Sequence, residues 1–225
     1  MKEKLSKTTM WLLIAMIPII ILLGSFRNII SDEKFFESEF DKYGVYYDVG
    51  LSKEDTLKLN KVLFDYLLND KTQNSINASI FNDKEKTHLL EVKSLMQSIL
   101  LKYYILFAVS LVLIALIFIF AKEKEFGMKR VGKALLFGSI ITLVLIGLFF
   151  IALKFNFDSI FLKFHEVSFK SDTWLLDPSV DKLKAMFPND IFYDTAAAIA
   201  VRTIIQSLFF LAISILIAFY MKRNK

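Results

Sequence analysis

Four long apolar stretches, separated by polar segments, dominate the pattern of residues along the chain. They cover residues 8–30, 99–121, 134–153 and 196–220. A helix needs about 20 apolar residues to cross a hydrocarbon core of roughly 30 Å, and each stretch approaches or meets that length. The pattern therefore predicts a polytopic membrane protein with four transmembrane helices.

Charged residues between the stretches predict the orientation. Residues 122–133 carry five basic and two acidic side chains, and both termini are also basic. Residues 31–98 carry 9 lysines against 13 acids, and residues 154–195 carry 5 lysines against 7 acids. Because cytoplasmic loops are enriched in Lys and Arg, we expect a cell-membrane protein with both termini and residues 122–133 in the cytoplasm, and with 31–98 and 154–195 outside.

The net charge of +5 follows from this topology. No basic patch with interleaved aromatic residues stands out, so we expect no nucleic-acid partner. The basic start and the apolar run of residues 8–30 resemble a signal peptide, but Gly24 and Ser25 make a poor cleavage site, so we expect an uncleaved anchor.

The sequence of the first outer segment, 31–98, predicts mainly helices. Residues 43–49 could form a short strand, and residues 53–68 have the apolar spacing of an amphipathic helix. Residues 69–82 are polar and predict a mobile surface loop. Asn82 or Asp83 is a good N-cap for one long helix that runs from residue 84 to about residue 121, into the second span.

The second outer segment, 154–195, contains nine aromatic residues, which suits a segment half-sunk among lipid headgroups. Asp158 can cap a helical turn that carries His165, and Asp177 before Pro178 predicts another helix start. The predicted fold is thus a mainly α polytopic membrane protein. Its four transmembrane helices carry a small extracytoplasmic domain formed by the two outer segments, which consists of helices and could include short strands.

The two histidines, His88 and His165, are the main candidates for chemistry near neutral pH. The chain has no cysteine, which excludes thiol nucleophiles, disulfides and thiolate metal sites. His88 lies near a helix start, where the helix dipole disfavours its protonated form, and His165 lies among aromatic residues, where desolvation does the same. Glu91, three residues after His88, can reach that ring.

The sequence also allows two other roles for the histidines. Each could be a structural hydrogen-bonding residue, and a metal site would need added acids because no HxxxH or HExxH pattern is present. We therefore expect no metal and no cofactor. Arg202, about one turn into the fourth span, could reach the interface or hold a phosphate, a carboxylate or an ester oxygen.

Three stretches carry a resemblance to a known family. They are FFESEFDKYGV at 35–45, EKTHLLEVKSL at 85–95 and FLKFHEVSFKSDTWLLDP at 161–178, followed by MFPNDIF at 186–192. With the four spans, they resemble the lipoprotein intramolecular transacylase family of Gram-positive bacteria. The resemblance covers most of both outer segments, and the third stretch is the most specific.

The resemblance implies an acyltransferase that acts on a diacylated lipoprotein in the membrane lipid. Such an enzyme moves the sn-2 acyl chain of a diacylglyceryl-cysteine to the α-amino group of the same cysteine, which leaves an N-acyl lyso-lipoprotein. The family's two histidines fall on His88 and His165, one as base and the other as acid. For the mechanism that this implies, we expect Glu91 to orient His88, and Asp172, Trp174 and Arg202 are further candidates for shaping the site.

Two other functions compete with this one. A non-enzymatic accessory membrane protein would use the outer domain to bind a partner, and its histidines would be dispensable. A transporter has little support, because the spans show no clear internal repeat, no paired broken helices and no buried acids.

Overall fold

Helices form almost the whole chain in a computed structural model, which describes residues 1–69, 76 and 78–223. Within these described residues, eight α-helices follow one another: α1 (Lys2–Ile30), α2 (Glu33–Tyr43), α3 (Val45–Val49), α4 (Lys53–Leu68), α5 (Asp83–Phe120), α6 (Lys124–Ser168), α7 (Lys182–Met186) and α8 (Asn189–Arg223). One turn of 3-10 helix, Asp172–Trp174, lies between α6 and α7. The described residues contain no β-strand.

Four of the helices, α1, α5, α6 and α8, are long and apolar enough to cross a membrane. They coincide with the four predicted spans, so the expectation of a multi-pass, mainly α membrane protein is confirmed. The predicted long helix from residue 84 to about residue 121 is α5, and the predicted amphipathic helix over 53–68 is α4. Ser52 starts α4 by accepting a hydrogen bond from the backbone N–H of Asp55.

The chain divides into two compact units. The membrane unit comprises Met1–Arg27, Leu101–Ala152 and the described part of Ala198–Lys225. The histidine unit comprises the described part of Asn28–Leu100 together with Leu153–Ala197. The long helices α1, α5, α6 and α8 each contribute residues to both units.

Close helix packing holds the membrane unit together. The hydroxyl of Ser6 on α1 donates a 2.9 Å hydrogen bond to the carbonyl of Ile117 on α5. A Cβ atom added to Gly138 on α6 would lie 2.7 Å from Cβ of Ile17, so only glycine allows α6 this close to α1. The apolar side chains buried between these helices are Met10, Leu13, Ile14, Ile17, Ile21, Leu113, Ile117 and Ala134.

The histidine unit has its own apolar core. Side chains of α2, α3 and α4 meet there with those of α7 and of Phe187 just after it, and they include Phe36, Phe40, Val45, Val49, Leu63, Leu67 and Met186. Residues 70–75 and 77 of the predicted loop over 69–82 lie outside the described residues. Ile76 and Phe81 of the same segment are buried in this core, so these two positions are packed and not surface residues.

A buried carboxylate ties the start of α5 to α7. Glu85 is 1% exposed and accepts hydrogen bonds from the backbone N–H groups of Asn82, at 2.7 Å, and Leu183, at 2.6 Å. The side chain of Asn82 in turn accepts from the N–H of Glu85, at 3.0 Å. This reciprocal pair is a capping box, and it confirms the prediction of Asn82 as an N-cap.

The predicted strand over 43–49 is wrong, because these residues end α2 and form α3. Val45 and Val49 are buried while Tyr47 between them is 88% exposed, a spacing that belongs to a helix and not to a strand. Gly44 and Gly50 end α2 and α3 with φ of 66° and 76°, which favours glycine at both positions. The two glycines, and not an extended backbone, turn the chain here.

The helix start predicted at Asp177 is also wrong. Asp177 accepts hydrogen bonds from the backbone N–H and the hydroxyl of Ser179, which close a turn. Helix α7 begins only at Lys182, after Asp181. The carboxylate of Asp181 accepts hydrogen bonds from the side chain of Asn82 and from the backbone N–H of Asp177. These bonds connect the turn to the start of α5, and α7 begins only after them.

Helix α6 has one break, at Asn156, where φ is −151° and ψ is 41°. The break separates the apolar part of α6, which belongs to the membrane unit up to Ala152, from the turns that carry Phe161 and His165. Asp158 therefore lies in the first turn after the break, and the expected helical turn with His165 is the last part of α6.

Candidate active site

His88 is a buried residue on the second turn of α5, in the histidine unit. The capping box of Asn82 and Glu85 fixes the start of this helix, so it also fixes the direction of the His88 side chain. His88 is 7% exposed, and the ring of Phe169 packs against it with centroids 4.9 Å apart. The charged turns around His88 precede the apolar part of α5.

His165 lies on the last turns of α6 and is also 7% exposed. Its Nδ1 atom is 2.8 Å from the backbone carbonyl of Phe161. A carbonyl oxygen only accepts, so Nδ1 carries the proton of the neutral ring and Nε2 keeps the free lone pair. The rings of Phe161 and Trp174 flank the imidazole at centroid distances of 4.2 Å and 5.2 Å.

The two imidazoles lie close together in the histidine unit, with their planes nearly parallel. Their ring centroids are 6.4 Å apart and their planes differ by 29°. This separation is well below the roughly 10 Å at which two groups could no longer act on one small reacting centre. One reacting group of a substrate can therefore contact both rings.

Burial keeps both histidines neutral. The pKa of His88 is lowered to about 4, mainly by burial and also by the charge of a protonated His165, while the Glu91 carboxylate acts in the opposite direction. Burial also lowers the pKa of His165, partly offset by its hydrogen bond to Phe161, while the ammonium of Lys184 lowers it. Both rings are thus available as bases near neutral pH.

Glu91 is held beside His88 by two hydroxyl groups. The Ser171 hydroxyl donates to the Glu91 carboxylate at 2.8 Å, and the Thr173 hydroxyl donates to it at 2.7 Å. The nearest Glu91 oxygen is 3.9 Å from Nδ1 of His88, beyond hydrogen-bond distance. Among the described residues, this buried Nδ1 has no hydrogen-bond partner. At this distance, the Glu91 carboxylate acts on the ring through its charge.

The other predicted site residues are placed differently. Trp174 packs against His165, as described above. Asp172 is exposed, and its neighbours Ser171 and Thr173 make the contacts with Glu91 in its place. Arg202 lies on α8 in the membrane unit, exposed on that helix.

Sequence reasoning missed three polar residues of this site. Ser171 and Thr173 stand on either side of Asp172. The only feature of the sequence that marked them was this position of two hydroxyl residues next to an acid. Lys184 on α7 is half-buried, and its ammonium lies 5.6 Å from the ring centroid of Phe161, the residue that packs on His165. Asn189 accepts a 2.5 Å hydrogen bond from it.

Within the described residues, Lys184 is a cation without an acidic partner, and it lies near enough to His165 to lower the pKa of that ring. In the part of the chain that the structure describes, Lys184 forms no ion pair, and burial lowers its pKa. A half-buried positive charge attracts any negative charge that develops next to it. The same described residues contain no group of three or more His, Asp or Glu side chains placed to hold a metal.

This arrangement can move protons at a buried, largely apolar centre. Two uncharged imidazoles can take a proton from one atom and deliver a proton to another, and a nearby ammonium can stabilise an oxyanion. Together with the four spans, the site defines a multi-pass membrane protein with a facing histidine pair suited to acid-base catalysis.

Comparison with known proteins agrees with this class. The sequence model of the family described as lipoprotein intramolecular transacylase Lit matches residues 11–192. The chain therefore belongs to the lipoprotein intramolecular transacylase family, and it is an enzyme of that family. No curated protein sequence matches the chain.

Solved structures share the fold. The membrane-integral lipoprotein intramolecular transacylase Lit from Bacillus cereus matches with a TM-score of 0.85 at 19% identity, over 99% of this chain and 100% of the other. Two variants of that protein, in which a histidine is replaced by arginine or by alanine, match with TM-scores of 0.81 and 0.80 at 17% and 18% identity. They cover 99% of this chain and 96% and 97% of their own. This shared architecture confirms the predicted fold class.

Proposed function

We propose that the enzyme moves the sn-2 acyl chain of a diacylglyceryl-cysteine lipoprotein to the α-amino group of the same cysteine. The product is an N-acyl lyso-lipoprotein. The observation that carries this proposal is the buried pair of neutral imidazoles with ring centroids 6.4 Å apart. Family membership supports it, and argues against a non-enzymatic accessory protein.

The proposed reaction converts an ester into an amide, and each proton has a place in it. The α-amino group has a pKa of about 8, so a fraction of it is the neutral amine near working pH, and a neutral histidine can take the proton that its nitrogen loses during the attack. The amine nitrogen then bonds to the ester carbonyl carbon and forms a tetrahedral oxyanion. When the bond to the glyceryl oxygen breaks, the other histidine delivers to that oxygen the proton that the first ring took from nitrogen and passed on, so both rings end neutral.

The substrate supplies much of the proximity for this step. Donor ester and acceptor amine belong to one molecule, so the transfer needs no second substrate and no free acyl carrier. The enzyme has to orient the amine against the carbonyl and to exclude water, which would hydrolyse the ester. The aromatic rings of Phe161, Phe169 and Trp174 around the histidines provide an apolar wall for this purpose.

We assign the stabilisation of the oxyanion to Lys184. Its ammonium contacts the face of Phe161, and the same ring packs on His165. The ammonium donates a hydrogen bond to Asn189 but has no carboxylate partner within the described residues, so its charge is not neutralised and can attract the negative carbonyl oxygen of the intermediate. Lys184 thus completes a set of one base, one acid and one electrostatic stabiliser.

Glu91 acts as a positioning residue for His88 in this scheme. Its carboxylate, held by Ser171 and Thr173, favours the protonated form of His88 during the transfer and leaves the neutral form dominant at rest. Asp172 and Arg202 remain proposals for contacts with the substrate lipid. No metal or cofactor has a part in this mechanism.

We place the site on the outer side of the cell membrane, with both termini in the cytoplasm. The charge asymmetry of the connecting segments supports this orientation. The acyl chains of the lipoprotein lie in the membrane lipid at that surface. Its partners are then diacylated lipoprotein and lipid.

The test is conversion of a synthetic diacylglyceryl lipopeptide by the purified protein. Substrate and product are isomers, so tandem mass spectrometry has to locate the acyl chain on nitrogen or on glycerol. We expect N-acyl lyso-lipopeptide from wild type and none from a substrate whose amine is acetylated. A mixture of isotope-labelled and unlabelled substrates should yield no crossed products; absence of N-acylation in wild type would refute the proposal.

A further inference from the structure

A groove lies between the first turns of α6 and the last turns of α8, inside the membrane unit. Its volume is about 440 Å³. Three lysines, Lys129, Lys133 and Lys222, line it together with a single acid, Glu125. It shares no residue with the histidine unit, so the proposed reaction does not account for it.

Close contact between the two helices forms part of the groove wall. The hydroxyl of Ser214 on α8 donates a 2.8 Å hydrogen bond to the carbonyl of Gly132 on α6. A Cβ atom at Gly132 would lie 3.1 Å from Cγ2 of Ile217, so glycine permits this approach. The apolar side chains of Ile217 and Leu136 also line the groove.

The three lysines give the groove a clear excess of positive charge. Lys129 and Lys133 stand one helical turn apart on α6, and Lys222 reaches the groove from α8. None of the three forms an ion pair within residues 1–69, 76 and 78–223. The combination of unpaired ammonium groups and apolar walls is complementary to an amphiphile with a negative head.

We propose that this groove binds the headgroup of an anionic phospholipid. The phosphate accepts hydrogen bonds from the three lysines, and the start of the acyl chains packs against Leu136 and Ile217. A volume of about 440 Å³ suits a headgroup, while the chains extend along the apolar helix surfaces into the bilayer. On the predicted topology, this lipid belongs to the cytoplasmic leaflet.

The general preference for basic residues in the cytoplasm does not explain the groove. That preference requires cations in the connecting segment and the tail, and it is equally satisfied by Lys122, Lys124 and Arg223, which do not line the groove. Convergence of three other lysines from two helices on one concave surface is an additional feature. These two sets of cations provide matched variants for a test.

The experiment measures lipid retention by native mass spectrometry of the full-length protein, titrated with phosphatidylglycerol. We expect one tightly retained molecule on wild type. The triple variant K129Q/K133Q/K222Q should bind it at least tenfold more weakly, and K129R/K133R/K222R should bind it as wild type does. The variant K122Q/K124Q/R223Q loses the same charge from outside the groove and should retain wild-type affinity.

Three results would overturn the proposal. One is an equal loss of affinity in the K122Q/K124Q/R223Q control, which would show a diffuse charge effect. Another is equal affinity for zwitterionic phosphatidylcholine. The third is displacement of the lipid by glycerol phosphate at similar concentration, which would identify a free phosphate compound as the ligand. Circular dichroism of all variants shows whether the helices are intact, and a groove variant that binds lipid normally refutes the site directly.

Discussion

The imidazole rings of His88 and His165 lie 6.4 Å apart, centroid to centroid, and the ring of Phe169 contacts both. One ring comes from the first turns of α5 and the other from the last turns of α6. Both are buried and neutral, so together they can accept and donate protons without carrying a resting charge.

Replacement of either histidine tests this pair. His88→Ala and His165→Ala should each reduce conversion of the diacylglyceryl lipopeptide by about a hundredfold or more, since each removes one proton-transfer group. The double variant should lose little beyond a single one, because both rings serve one transfer. Glu166→Gln, an exposed neighbour of His165, is the control and should convert normally. A histidine variant with wild-type conversion would contradict the paired role.

Glu91 should affect the rate constant and leave substrate binding nearly unchanged. Glu91→Gln should lower kcat by roughly tenfold to a hundredfold with little change in KM, since the carboxylate acts through His88 and does not touch the substrate. The pKa of His88 should fall further, because the Glu91 charge raises it. NMR titration of ring-labelled histidine measures this change.

The hydroxyl groups of Ser171 and Thr173, which donate hydrogen bonds to Glu91, give an independent test of the role of Glu91. The variant S171A/T173V should lower kcat in wild type but have little added effect in the Glu91→Gln background, because the hydroxyls act by holding the carboxylate. Full additivity of the two effects would show that Ser171 and Thr173 act by another route.

Lys184 should contribute to the reaction through its positive charge and not through the packing of its side chain. Lys184→Met should lower kcat by tenfold or more, while Lys184→Arg should retain a larger part of the activity. Removal of the ammonium should also raise the pKa of His165, since Lys184 lowers it. Lys163→Met, at an exposed lysine near His165, serves as the control. An unchanged kcat in Lys184→Met would exclude Lys184 as the oxyanion stabiliser.

His88 should make the fold less stable in acid. The unfolded histidine titrates near pH 6.5 and the folded one near pH 4, so protons bind the unfolded chain first as the pH falls. Stability should decrease between these two values by about 3 kcal/mol and be insensitive to this group below them. Thermal unfolding in detergent from pH 7 to pH 4 measures the effect. His88→Gln should show a shallower decrease, and identical slopes would contradict the buried neutral state.

Glu85 should be a structural residue of the histidine unit. Glu85→Ala leaves the buried N–H of Leu183 and the partly buried N–H of Asn82 without their acceptor and should destabilise the protein by about 2–4 kcal/mol. Glu85→Gln keeps an amide oxygen for one of the two donors and should cost less. Thermal unfolding provides the comparison. Exposed Glu54, paired with Lys58 on α4, is the control position and should tolerate alanine.

Local pattern was sufficient for much of the fold. The four apolar stretches predicted α1, α5, α6 and α8 because a lipid environment leaves few alternatives to a long apolar helix. Apolar spacing placed α4 correctly, and the capping residue Asn82 placed the start of α5 correctly. The pattern failed at 43–49, where two glycines end short helices, and at Asp177, which closes a turn because Asp181 and Asn82 hold the backbone there.

By itself, the sequence determined the class of the protein and the chemistry available to it. Apolar length specifies membrane helices, and the absence of cysteine together with only two histidines limits proton transfer near neutral pH to His88 and His165. Both conclusions depend on residue type and spacing within one segment, which a sequence displays directly.

Only the tertiary structure decided that the two rings face each other, that Ser171 and Thr173 hold Glu91, and that Lys184 lies by Phe161. These contacts join α5, α6, the 3-10 turn and α7, which are distant in the chain. They depend on the break at Asn156 and on the core that packs α7 beside the start of α5. Such contacts arise from the packing of whole elements, so no local pattern contains them.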